Sequence, residues 1–125
     1  LTKQVDFDVQ LLATTSLDQQ LLNRMVEIVD QRMGEPDFDV NALARELNMG
    51  RSSFFTKVKN LTGMTPSEFI QNKRINRAAT LLQERPDLLV NEISDRLGFA
   101  STVYFSRCFK AKFGVSPAQF RKKEQ

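Results

Sequence analysis

The sequence predicts an all-α fold: two helix-turn-helix subdomains joined by a long linker helix, about seven helices. Three observations predict it. Thr65 to Glu84 reads as one long capped helix. The stretches on either side of it repeat one another. Apolar residues recur at helical spacing from Ser16 onward, with no strand-like alternation worth assigning after residue 15.

The repeat is the organising feature. Val40–Phe69 precedes the long helix and runs into its start, and Val90–Phe120 follows it. The first halves match at a shift of 50 (Val40/Val90, Asn41/Asn91, Leu43/Ile93, Leu47/Leu97). The second halves match at a shift of 51 (Phe54/Phe105, Val58/Phe109, Gly63/Gly114, Pro66/Pro117, Phe69/Phe120). One extra residue in the second turn accounts for the change. Two copies are too few for a solenoid. A duplicated helical unit on a stiff spacer suits a partner touched at two evenly separated places.

In chain order, residues 1–15 read as a linker from something upstream, with a short extended piece around Val5, Phe7 and Val9. Ser16 opens a helix, with Gln19 at the capping-box position. Leu17, Leu21, Met25, Val29 and Met33 recur every four residues, widened by Leu22, Val26 and Ile28 into an apolar stripe. Gly34 and Pro36 stop this helix. Asp39 caps a short helix through Leu47, and Asn48 tolerates the left-handed backbone of a tight turn. A second helix runs from about Arg51 to Thr62, with Phe54, Val58 and Leu61 inward and Gly63 as its stop. This first subdomain is placed at 16–64.

The linker helix occupies 65–85. Thr65 caps it, Pro66 fits its first position, Glu68 closes a capping box, and Pro86 ends the pattern. Ile70, Ile75, Ala78, Ala79, Leu81 and Leu82 form its apolar side, with Lys73, Arg74 and Arg77 as polar positions near its middle. Residues 86–125 repeat the first subdomain: a short helix through Leu97, Gly98 at the turn, a helix from about Ser101 to Phe113, then Gly114. Ser116, Pro117 and Gln119 restate the cap and start a last helix carrying Phe120 and the basic residues Arg121, Lys122 and Lys123.

Composition removes several function classes. There is no histidine, the commonest general base and metal ligand. One cysteine cannot form an internal disulfide, which fits a cytosolic setting. No nucleophile–base pair, metal cluster or phosphate-cradling glycine loop is present, so an enzyme and a cofactor are not expected. No apolar run approaches the roughly 20 residues that span a bilayer. The absence of a signal peptide and of an initial Met fits a piece of a longer protein. The net charge of +3 is unevenly spread: residues 1–40 carry −5 and residues 41–125 carry +8. A basic duplicated region points toward a polyanion.

A helix of about 10–12 Å diameter fits a major groove about 12 Å wide. In a helix-turn-helix the second helix lays its N-terminal polar residues on base edges. With Phe54 and Val58 inward, the outward positions are Arg51, Ser52, Phe55 and Thr56. With Phe105 and Phe109 inward, they are Thr102, Val103, Ser106 and Arg107. Arg107 suits a bidentate contact to guanine, Thr56 and Ser106 shorter polar contacts, and Val103 and an outward Phe55 the thymine methyl. Phe55 has an alternative place, folded back on the core. Lys57, Lys59, Lys110, Lys112, Arg121 and Lys122 are read as phosphate contacts, which set affinity rather than sequence. Arg74 and Arg77 are read as pairing with Glu68, Glu84 or other carboxylates, ahead of base reading. Cys108 beside the phenylalanine stripe reads as a small apolar residue, not a redox sensor.

The tandem repeat, the R-I-N-R-A-x-x-L-L run at Arg74–Leu82, and the G-F-x-S/T-x-x-Y-F-S-R-x-F-K run at Gly98–Lys110 ending in G-V-S-P-A-Q-F-R resemble the DNA-binding domain of AraC/XylS-type transcription regulators. The resemblance covers roughly Ser16 to Lys123. It implies seven helices, two recognition helices in successive major grooves, and base reading by Ser52, Phe55, Thr56, Thr102, Val103, Ser106 and Arg107. Many members carry Arg or Gln where Phe55 and Thr56 stand, which implies weaker reading by the first motif. Leu89 stands where the family has a polar N-cap; such a loss costs about 1 kcal/mol, and fraying or a substitute cap from Asp87 or another group is expected. The M-G-E-P-D-F-D-V-N-A-L-A stretch resembles the effector domain of response regulators and of membrane-bound hybrid two-component sensors, which implies an upstream receiver or sensor domain.

The leading expectation is sequence-specific double-stranded DNA binding in bacterial transcription regulation, with activation as the sign, RNA polymerase as a further partner and the cytoplasm as the compartment, the segment itself making no membrane contact. The two recognition helices are then about 34–36 Å apart. The competing expectation is a helical protein-interaction module contacting the transcription machinery.

Overall fold

The computed structural model describes residues 16–124, and the linker and extended piece expected over 1–15 lie outside them. Among the described residues there are seven helices and no strand: α1 Ser16–Arg32, α2 Val40–Glu46, α3 Arg51–Thr62, α4 Pro66–Glu84, α5 Val90–Arg96, α6 Thr102–Phe113 and α7 Pro117–Glu124. The chain divides into two compact units. The first holds the chain through Arg32 together with Asp37–Gln71; the second holds Met33–Pro36 together with the chain from Asn72.

The first unit is built on α1, α2, α3 and the start of α4. Asp39 Oδ1 accepts from the Ala42 amide at 2.9 Å, the cap its sequence position suggests. Asn48 turns the chain at φ 56, and α3 follows. Leu43, Phe54 and Val58 are fully buried, with Leu22, Met25, Ile28 and Val29 of α1 completing the core. Leu22 and Leu61 touch, flanked by Leu21 and Met64. Thr65 Oγ1 accepts from the Glu68 amide at 3.1 Å, and the Glu68 carboxylate accepts from the Thr65 amide at 2.9 Å, so the start of α4 is capped reciprocally.

Two expectations about α1 are corrected. Leu17 does not join the stripe; it is 75% exposed. A four-residue step overshoots a 3.6-residue turn by about 40°, so two steps carry Leu17 about 80° off the Met25 direction. Asp18 takes the inward slot one turn before Leu22 and is buried. Ser16 is itself helical, and Gln19 donates along the helix to Asn23 Oδ1 at 3.1 Å rather than closing a box on Ser16.

The second unit repeats the scheme with an aromatic core. Phe99, Phe105 and Phe109 are buried, and ring centroids run Phe99–Phe105 at 5.0 Å, Phe105–Phe109 at 5.9 Å and Phe109–Phe120 at 5.3 Å. Phe113 closes the cluster at 4.7 Å from Phe109. Ser116 Oγ accepts from the Gln119 amide, and Gln119 Oε1 accepts from the Ser116 amide at 3.0 Å, restating the box of α4 at the head of α7. At α5 no side chain at Leu89 caps the helix, but the Glu92 carboxylate accepts from the Leu89 amide at 2.8 Å, the half of a capping box that needs no polar residue at 89. Asp87 does not cap it; its carboxylate takes Arg85 at 3.0 and 2.8 Å.

The loop between α1 and α2 is stitched into this second unit. Arg74 Nε donates to the Met33 carbonyl at 3.0 Å. Gly98 turns at φ +84, where a Cβ would stand 2.6 Å from that same carbonyl oxygen. A Cβ on Gly34 would stand 2.2 Å from the Arg96 carbonyl oxygen. The sequence predicts carboxylate partners for Arg74; this bond gives it a backbone carbonyl, and burial lowers its pKa. Arg77 is exposed on α4.

Candidate nucleic-acid interface

The second helix of each pair has one buried face and one solvent face. On α3, Phe54 and Val58 are 0% exposed, while Arg51, Ser52, Phe55, Thr56 and Lys59 are exposed. Residues three and four apart share a face, so Ser52, Phe55, Thr56 and Lys59 form one strip. Phe55 is 49% exposed, which settles its two readings in favour of the outward one. Arg51 and Lys59 stand one turn before and one turn after it.

On α6, Phe105 and Phe109 are 0% exposed. Val103, Arg107 and Lys110 are exposed, and Thr102 and Ser106 are half-buried on the same side. Ser101 Oγ accepts from the Tyr104 amide at 3.1 Å and fixes where α6 begins. Ser101 is thus the cap of the helix predicted from about Ser101, and not its first residue. A serine one residue before a helical run, with Tyr104 three residues on, was the available signal. At α3 the corresponding residue is Gly50, which caps nothing with a side chain.

The six lysines and arginines read as phosphate contacts fall into two groups. Lys59 and Lys110 lie on the strips just described, and Lys122 is exposed on α7. The other three are held by protein partners. Lys57 Nζ lies 2.8 Å from Asp18 Oδ1. It is two residues from Lys59, which turns it about 160° away around α3. Lys112 Nζ donates to Asn72 Oδ1, and burial pushes its pKa down. Arg121 donates from Nε to the Leu82 carbonyl and from Nη2 to the Arg85 carbonyl, both at 3.1 Å, closing the C-terminal end of α4. Cys108 is half-buried on α6.

Two short helix pairs, each with a left-handed turn residue and an outward polar strip on the second helix, are the helix-turn-helix arrangement. The family described as Helix-turn-helix domain matches residues 43–123. The chain belongs to this helix-turn-helix family, in its AraC-type branch. A histidine kinase, P4, of Formosa agariphila is 42% identical over 110 residues, 88% of this chain. The chain spans only 8% of that relative's length. The C-terminal domain of AraT, a response regulator from Geobacillus stearothermophilus, superposes with a TM-score of 0.75 at 27% identity, covering 82% of this chain and 84% of that one. The DNA-binding domain of the global transcriptional factor AdpA, solved in complex with a target DNA, gives a TM-score of 0.74 at 31% identity, covering 82% and 90%. No described helix of this AraC-type domain is long and apolar enough to cross a membrane.

Proposed function

We propose that this domain binds double-stranded DNA sequence-specifically to regulate transcription, with α3 and α6 entering successive major grooves. One observation carries the reading: both motifs bury their apolar stripe and turn a polar, basic-flanked strip of the second helix to solvent. Arg51, Ser52, Phe55 and Thr56 read bases from the first motif, and Thr102, Val103, Ser106 and Arg107 from the second. Lys59, Lys110 and Lys122 meet phosphates. The AdpA neighbour bound to its target DNA supports the assignment.

The likeness to a response-regulator domain and to a histidine kinase supports a wider setting. In it the domain is the output end of a two-component or hybrid sensor protein and works in the cytoplasm. An upstream receiver or sensor controls it, and it activates through RNA polymerase. The domain itself catalyses nothing.

The test is selection of a duplex from random sequence, followed by affinity and footprint at two salt concentrations. Binding by the two strips gives a two-part footprint and an affinity that falls steeply with salt, because counterions are released. A salt-indifferent complex with an apolar protein surface, and no selected sequence, would overturn the reading.

A further inference from the structure

Two contacts join α1 to α3 at matched spacing. Leu22 touches Leu61, and four residues earlier on each helix Asp18 Oδ1 lies 2.8 Å from Lys57 Nζ. Residues four apart share a helix face, so the helices meet along one seam and run in the same direction there. The Leu22–Leu61 contact is apolar and non-directional. It holds the helices together without setting a rotation. The ion pair joins one oxygen to one nitrogen and adds a direction.

Asp18 stands where an apolar residue would extend the stripe of Leu22, Met25 and Val29 by one turn. It is buried, while its neighbour Leu17 is exposed. A buried ion pair is seldom more stabilising than apolar residues of similar size, and its best-attested use is to fix register. With leucine at both 17 and 18, about 100° apart around the helix, α1 could bury either one. A carboxylate at 18 facing an ammonium on α3 leaves one setting. Lys57 points about 160° around α3 from Lys59, so the tie holds α3 from behind and leaves the strip of Ser52, Phe55, Thr56 and Lys59 open.

We propose that Asp18 is a positioning residue for recognition by the first motif: through Lys57 it sets how α3 presents its outward strip. α1, which precedes the helix-turn-helix pair, is then a working part of that motif. The proposal rests on the DNA-binding reading above.

The experiment uses the chain as it stands and a duplex selected from random sequence, with each base pair substituted in turn. Asp18→Leu should keep or raise the denaturation midpoint and still weaken binding to the selected duplex about tenfold. The penalties for wrong bases should shrink in one half-site and stay unchanged in the other. The salt slope should not move, because no phosphate contact is lost. Lys57→Met breaks the same pair from its exposed end and should shrink the penalties of the same half-site at the same salt slope. The double variant should bind no more weakly than the weaker single one, because both changes remove one interaction. Should Asp18→Leu fail to fold, Lys57→Met decides by the same readout. A pair that only stabilises gives a different pattern: affinity falls only as the folded fraction falls, and both half-sites lose together. That result, or full discrimination in a folded variant, would overturn this inference and leave the DNA reading standing. Absence of any selected sequence would overturn both.

Discussion

Arg74 Nε and the Met33 carbonyl oxygen are 3.0 Å apart, and the Gly98 turn closes over that same oxygen. A residue of the linker helix thus ties a loop that precedes the first motif to the turn of the second. Arg74→Met should lower stability by about 1–3 kcal/mol by leaving a buried carbonyl without its donor. Gly98→Ala should cost a similar amount, about 1–3 kcal/mol, from its positive φ and the crowding of a Cβ. Denaturant midpoints at constant slope would check both.

Lys57 and Lys59 differ in what they face, so their loss should differ in kind. Lys57→Met breaks the pair with the buried Asp18 and should cost about 1–2 kcal/mol of stability. It should barely change the salt dependence of DNA binding. Lys59→Met should leave stability nearly unchanged and reduce the slope of log affinity against log salt by about one. Salt titrations of the two variants beside their unfolding curves separate these outcomes.

The two reciprocal caps predict a difference in acid. Hydrogen bonds from Thr65 hold the Glu68 carboxyl below the usual carboxylate range. The unfolded chain therefore takes up this proton first. The stabilisation is complete above about pH 4.3, and it fades as pH falls through the lower folded value. Gln119 fills the same position at α7 without titrating. Glu68→Gln should copy that arrangement and flatten this part of the acid dependence. Unfolding curves between about pH 2 and pH 6 would show it.

Arg121 should prove structural. Its two donors serve the Leu82 and Arg85 carbonyls, so Arg121→Ala should lower stability by about 1–2 kcal/mol with little effect on the salt slope. Arg121→Lys should restore only part of the loss, because an ammonium does not offer the forked geometry of a guanidinium.

Arg107→Ala should relax preference at one base position, by about 1–3 kcal/mol of discrimination, while affinity for unselected DNA is largely kept. Equal loss on all sequences would place Arg107 on phosphate instead.

Local chemistry made most of this fold legible. The Thr65–Glu68 and Ser116–Gln119 boxes, the left-handed turns at Asn48 and Gly98 and the Phe54 and Phe105 stripes are set by neighbours within four residues, and the sequence shows such neighbours directly. The outward strips of α3 and α6 followed from the inward stripes by subtraction. What stayed hidden depends on distant partners. Nothing near Asp18 reveals that Lys57 will neutralise it, and nothing near Arg74 or Arg121 reveals that each will seek a carbonyl. Leu17 misled because a step of four looks helical over one turn and drifts over three. The Leu89 departure is offset in part locally, by Glu92 three residues on, which takes the Leu89 amide.

Residues 33–36 lie ahead of the first motif in the chain and belong to the second unit. The two motifs are therefore not interchangeable cassettes. A graft beginning at Thr65 would carry Arg74, Arg96 and Gly98 to a new host without the strand of backbone they close around.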